Sequence, residues 1–291
     1  MEFLLKPFMF TSDLVEDTVE VVISSGDLPW PQNVILCVPL LSSQVTLHEQ
    51  AECLATQAFL RMHGLNFTLD ERPNAEYMSV TAKLPLLKID DHFVAGFDAI
   101  TTYARLRIRK QLTSEQESAI RPYVEMINVT VRNAELYAAW VDDTNFRSVT
   151  APRYGSPYPF PLNKILPLLK RVQIKAFLTE NSPLASMDDV RESLNSDMKA
   201  LSERLGPRPY FLDDLNTNEL DALVYGHLTA LLTSKLPEGN LTELVHRHQN
   251  LVQFCQRVDR KKEMGMNSEL HTTTVVTSMR RLPPVVLKSD V

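Results

Sequence analysis

The chain of 291 residues is short of the raw material for several kinds of site. Its three cysteines, Cys37, Cys53 and Cys255, stand far apart without CxxC spacing. That argues against a disulfide framework and suits a reducing compartment, with the thiols buried rather than reactive. Eight glycines leave little for a phosphate-cradling loop, and no such pattern is present. Lys and Arg number 30 against 36 Asp and Glu, a net charge of -6 with a pI near 5.7, the reverse of the basic excess of a nucleic-acid binder. The longest apolar run, Val34 to Leu41, contains Pro39 and falls far short of the ~20 residues that span a bilayer. Any membrane attachment is therefore expected to be peripheral. The opening MEFLLKPFMF places an acid before its apolar residues, and Asp13, Glu16, Asp17 and Glu20 follow. Neither a secretory signal nor an acid-poor presequence reads that way.

What is there is an ordinary globular composition, 44% hydrophobic and 23% charged, enough for one large domain or two modest ones. The stretch Asn218 to Leu232, NELDALVYGHLTALL, is apolar nearly all round and predicts a buried central helix. Asn218 at the N-cap and Asp221 three residues on form a capping box with Asp replacing Glu. Gly226 costs about 1 kcal/mol in a helix interior, so it implies that another backbone crosses closely there.

Val34 to Val38 is short, β-branched and bounded by prolines, a buried strand. A polar loop, Ser42 to His48, leads to a helix from Glu49 to Met62, stopped at Gly64. Leu65 to Leu69 alternates as a second strand, and a loop runs from Arg72 to Ala82. Residues 84–89 and 92–95, separated by Asp90-Asp91, predict a hairpin, with a covering helix from Ala99 to Ile108. Strand, crossover helix, parallel strand and antiparallel pair are the layout of a thioredoxin-like domain. In that layout the proline opening the third strand, here Pro85, is commonly cis; a trans proline at a strand start is the other reading.

Helical patterns take over from residue 114. Ser114 and Glu117 offer a capping box, and Ile120, Val124, Ile127, Val131, Ala134 and Ala138 form a stripe whose start Pro122 should shorten or kink. RYGSPYPFP, from Arg153 to Pro161, reads as a stiff loop. Arg153, Tyr154 and Tyr158 either contact a partner from it or pack it on its own helices. Ser186 and Asp189 cap a further helix that ends at Gly206-Pro207, and residues 241–258 predict a last amphipathic helix. From Lys261 the pattern vanishes into a tail expected to be mobile.

GPRPYFLDDLNTNELDALVYGHL (206–228) is similar to the C-terminal signature of the glutathione transferase fold. Together with NAEYMS (74–79), KLP (83–85), AELY (134–137), RYGSPYPFPLN (153–163) and LSERLG (201–206), it resembles the metaxin family over about residues 34 to 260. The expected class is α+β, a thioredoxin-like domain (32–110) followed by an all-α transferase-like domain (111–260), with an extension (1–31) and a tail (261–291) that depart from the family. The resemblance implies a component of the cytosolic face of the mitochondrial outer membrane. Its implied partners are a sister metaxin, the β-barrel assembly and import machinery, and adaptors that position and transport mitochondria.

Candidate chemistry is sparse. A glutathione-using enzyme needs a Tyr, Ser or Cys just after the first strand and an acidic-Ser pair after the fourth. At the second place the chain reads Gly96-Phe97-Asp98, with a phenyl ring where the hydroxyl belongs. At the first, Ser42, Ser43 and Cys37 read as loop and core residues, and no nucleophile is assigned. His246 and His248 point apart on a helix and cannot share a metal. His227 reads as a core histidine donating to a backbone carbonyl. No catalytic, cofactor or metal site is expected, which favours a non-enzymatic adaptor over the alternative, a divergent glutathione-dependent transferase.

Overall fold

The computed structural model describes residues 29–79, 81–108, 112–212 and 217–267, with side chains as far as residue 260. The extension to residue 28 and residues 268–291 lie outside it. Strand β1 (Val34–Val38) sits second in a four-stranded sheet of order β2-β1-β3-β4. It pairs in parallel with β2 (Thr68–Glu71) and antiparallel with β3 (Leu86–Ile89), which turns into β4 (His92–Ala95). The hairpin turn holds Asp90 at φ 51°, the left-handed region that a short polar side chain tolerates.

β2 starts three residues later than its apolar pattern suggests. Leu65 N–H donates to Leu60 O (2.9 Å) and Asn66 O accepts from Trp30 Nε1 (2.8 Å), so these residues close the preceding helix instead. That helix, α1 (Leu47–Met62), also begins earlier than Glu49. Thr46 caps it, and the Glu49 carboxylate accepts from Thr46 N (3.0 Å). The loop after β2 contains a 3₁₀ turn, Ala75–Met78. Helix α2 (Phe97–Arg105) starts at Phe97 and ends short of Ile108.

Helix α3 (Ser114–Met126) is capped by Thr113 and Gln116, one residue before the expected pair; the two pairs share one spacing, so nothing local chooses between them. It runs through Pro122 unshortened, because the carbonyl that Pro122 leaves without a donor belongs to exposed Ser118. The helix continues through a π-helical turn (Ile127–Val131), α4 (Arg132–Leu136) and a second π turn (Tyr137–Val141). These wide turns broaden the buried face: Asn133 and Glu135 are buried beside Val131, Ala134 and Ala138. There follow α5 (Asp143–Asn145), a π turn (Phe146–Thr150), α6 (Ala151–Gly155), α7 (Leu162–Asn181) and α8 (Met187–Leu205), the last capped by Ser186 and Asp189.

Every residue of helix α9 (Glu219–Leu232) from Leu220 to Leu232 is buried. Asn218 Oδ1 accepts from Leu220 N (2.8 Å) and Asp221 N (3.3 Å), while Asp221 Oδ2 accepts from Asn218 N (2.8 Å). The other Asp221 oxygen accepts from Phe211 N (2.9 Å), fastening the preceding turn to the same cap. α9 packs along α1 more extensively than any other two elements meet. A Cβ on Gly226 would lie 2.4 Å from Ala51 O and 2.6 Å from Ala55 Cβ. The final helical pattern divides into α10 (Leu241–His246) and α11 (Gln249–Asn267), so His246 and His248 share no helix. α11 runs on past Lys261, where the apolar pattern ends, to Asn267.

Two substitutions test this packing. Asp221→Ala leaves buried donors at both Asn218 and Phe211 unpaired and should lower stability by about 2–4 kcal/mol. Gly226→Val should cost about 3 kcal/mol or more by forcing α9 off α1. Both are read as lower urea midpoints.

Candidate functional site

The place where a transferase of this fold would hold its thiol, between the β1–α1 loop and the helical half, is filled by the chain's own side chains. The Arg153 guanidinium donates to the loop carbonyls of Val45 (2.8 Å), Leu41 (3.3 Å) and Ser42 (3.4 Å), and Ser156 Oγ to that of Ser43 (3.4 Å). Tyr158 OH and Gln44 Nε2 both donate to Pro73 O, at 3.1 and 2.9 Å. Beneath them Glu76, itself buried, accepts from Tyr154 OH (2.7 Å) and pairs with Lys170. Tyr77 OH lies 3.2 Å from Tyr154 OH. Burial, then the charge of Glu76, pushes the Tyr154 hydroxyl far above the usual phenol range, so no phenolate forms there.

Of the two readings of Arg153 to Pro161, the structure shows packing on its own helices, and it corrects the start of the segment from loop to helix. Arg153 and Tyr154 belong to α6, and Tyr154 is buried, its ring edge-on to Trp140 at 5.3 Å. Gly155 is needed where it stands, since a Cβ would meet Asn163 O at 2.4 Å. Tyr158 is half-buried, and only Pro159, Phe160 and Pro161 of the segment's later part are exposed.

The Leu84–Pro85 bond is cis, and Gly96 N donates to Pro85 O (2.8 Å). Phe97 is buried edge-on to Phe59, ring centroids 6.2 Å apart, where a hydroxyl would be needed. Ser42 and Ser43 are exposed, and their backbone carbonyls accept from Arg153 and Ser156. Cys37, Cys53 and Cys255 are buried, which pushes each thiol up, Cys255 to about 12. None is poised as a thiolate.

A second cluster joins the two halves. Glu135 is wholly buried; one of its oxygens lies 2.8 Å from His227 Nδ1 and the other 3.1 Å from His48 Nδ1. A carboxylate only accepts, so both imidazoles donate. His227 therefore bonds a carboxylate from another helix and not the backbone carbonyl that its place in α9 suggested. Burial raises the Glu135 carboxyl, but the charge of His227 and the two imidazole hydrogen bonds more than offset this and hold it below the usual range. Burial opposes a charged His227, yet Glu135 beside it lifts the imidazole above its ordinary value. Among the described residues these three are the ones whose ligand atoms approach within 4.8 Å of one another, as a metal would require. The direct hydrogen bonds hold them as a charge-paired core, while His227 Nε2 is buried without a hydrogen-bond partner, 3.9 Å from a Glu52 oxygen.

A protein-family model described as "Outer mitochondrial membrane transport complex protein" matches residues 53–171, and one described as "Glutathione S-transferase, C-terminal domain" matches residues 194–258. Metaxin-2 of Homo sapiens is 37% identical over 235 residues, covering 79% of this chain and 89% of that one. The chain belongs to the metaxin family. The metaxin-2 homolog of Caenorhabditis elegans is 34% identical over 229 residues, with 77% and 99% covered. Among solved structures, a glutathione S-transferase of Ceriporiopsis subvermispora in complex with glutathione superposes with a TM-score of 0.54 at 11% identity, covering 79% of this chain and 97% of that one. So remote a likeness bears on the fold alone.

Within this metaxin the segments that carried the resemblance meet in space. NAEYMS supplies Glu76 and Tyr77 to the tyrosines of RYGSPYPFPLN, and AELY supplies Glu135 to the His227 of ELDALVYGHL. Glu76, Lys170, His48 and Glu135 escaped the sequence reading because each is defined by a partner dozens of residues away. The one local hint was a glutamate, Glu135, between Ala134 and Leu136 on an otherwise apolar stripe.

The Glu135 cluster makes stability depend on pH in a definite direction. A lowered carboxyl contributes above its ordinary value of 4.5 and loses that contribution as pH falls through its folded value. A raised imidazole contributes fully below 6.5 and loses it as pH rises through its folded value. The cluster's contribution should therefore peak between those limits and decline in alkali. Glu135→Gln should lower stability by about 3 kcal/mol near pH 6 and flatten the alkaline decline, measured by urea titration across pH.

Proposed function

We propose that this metaxin is a non-enzymatic adaptor of the mitochondrial outer membrane transport complex, held peripherally on the cytosolic face and paired with a sister metaxin. In this reading it serves β-barrel assembly and import and contributes to mitochondrial positioning and transport. The observation that carries it is the filled cleft: Arg153 occupies the carbonyls of the β1–α1 loop, and Phe97 stands where a γ-glutamyl hydroxyl partner is required. A scaffold whose small-molecule pocket is closed retains its surfaces. The description of the family model over residues 53–171 supports the complex, and matches to metaxin-1 of Mus musculus and metaxin-3 of Danio rerio support a metaxin partner. Among the described residues no helix is long and apolar enough to cross a membrane, in keeping with peripheral attachment.

Affinity purification of the full chain from solubilised outer membranes should recover a second metaxin and barrel-assembly subunits; repeated absence of both overturns the reading. Alkaline carbonate should release the chain from mitochondria, and retention in the pellet contradicts peripheral attachment. Calorimetry should show no saturable glutathione binding. Binding that disappears in Ser42→Ala or Ser43→Ala would instead establish the transferase reading.

A further inference from the structure

Helix α7 is apolar on two sides: Pro167, Ile174 and Leu178 are buried against the core, and a second apolar face is exposed. Its charged residues Lys170 and Arg171 turn inward. Lys170 pairs with Glu76, and Arg171 donates to the carbonyls of Trp140 (2.8 Å) and Val141 (2.7 Å) and to Asp143 while lying over the Phe146 ring. The outward face carries Leu162, Ile165, Leu168, Leu169 and Val172, exposed by 44, 44, 54, 47 and 68%, and Phe160 just before the helix is 82% exposed. Six of the nine large hydrophobic residues exposed among the described residues thus lie between positions 160 and 172. Scattered exposed leucines need no explanation, but a continuous apolar helix face does.

The chemistry of the face selects its occupant. At its centre are aliphatic side chains and one phenyl ring, with no hydrogen-bonding side chain to specify the register of a protein partner. Exposed Lys164 and Lys175 are about three turns apart and so stand along one edge of the face. With Lys170 and Arg171 paired inward, the exposed charges of α7 are Lys164 and Lys175 against the single acid Glu180, in a chain that is net -6 as a whole. An apolar face edged by lysines is the pattern of a helix lying in a lipid headgroup layer, its aliphatic groups in the acyl boundary and its ammonium groups at the phosphates. We infer that the outer face of α7, with Phe160, docks on an anionic phospholipid surface. This rests on the peripheral, outer-membrane reading above and names the surface that makes the contact.

The test is flotation of the purified full chain with vesicles of phosphatidylcholine alone or mixed with phosphatidylglycerol. The chain should float with the mixed vesicles. The double variant Leu168→Asp, Val172→Asp should lose roughly tenfold or more of that binding while keeping the native circular dichroism, since both side chains already face solvent. Lys164→Glu with Lys175→Glu should weaken binding to the mixed vesicles. Failure of the wild-type chain to float with either vesicle overturns the inference, as does equal flotation of the Asp variant. Loss of the sister metaxin from pull-downs of the Asp variant, with no vesicle binding by the wild type, would assign the face to a protein instead. Purified lipid contains no partner chain, so the flotation result is independent of whether the complex itself is recovered.

Discussion

The backbones of α1 and α9 touch because residue 226 has no side chain. Ala51 O and Ala55 occupy the space that a Cβ there would need, and the small residues of α1 let the contact extend along both helices. Much else depends on that distance. His227 follows Gly226 directly, and His48 and Glu52 flank the contact on α1, so Glu135 can bond imidazoles from both halves only while the helices lie this close. The buried Asn218 and Asp221 cap fixes where α9 begins and holds Phe211 against Phe254, ring centroids 5.4 Å apart. Packing of this density tolerates little displacement.

Features decided within one or two turns were legible in the chain. The Asn218 and Asp221 cap, the bare Gly226, the β-branched strand Val34–Val38 and the Asp90-Asp91 hairpin each state their geometry in neighbouring residues. Thr113 rather than Ser114 caps α3 because two equivalent pairs overlap, a choice made by what surrounds the helix. The segment from Arg153 looked like a loop by its prolines, yet α6 extends into it once Arg153 and Tyr154 find carbonyl and carboxylate partners across the cleft. Glu135 and its histidines are 87 and 92 residues apart in the chain, beyond any periodicity. Propensity describes a segment alone, and these residues are defined by what they meet.

The two polar clusters are similar devices. Glu76 with Lys170 and Glu135 with His227 each bury a carboxylate and a cation drawn from different parts of the fold. Removing ions from water is costly, and well-packed apolar residues often stabilise as well or better. What such pairs add is discrimination, because a misplaced helix would strand a charge. In this metaxin both reach across the junction between the sheet and the helical half, Glu76 to Lys170 and Glu135 to His48.

The inward turn of Lys170 and Arg171 bears on how α7 can move. Burial of aliphatic groups has no preferred direction, so a helix held by leucines alone can roll on its neighbours with little penalty. Hydrogen bonds and ion pairs are directional. For α7 to rotate its exposed leucines toward the interior, the Arg171 contacts with Trp140, Val141 and Asp143 and the Lys170 pair with Glu76 would have to break together. The helix is thus latched about its own axis, and its oily side stays outermost whether or not anything covers it.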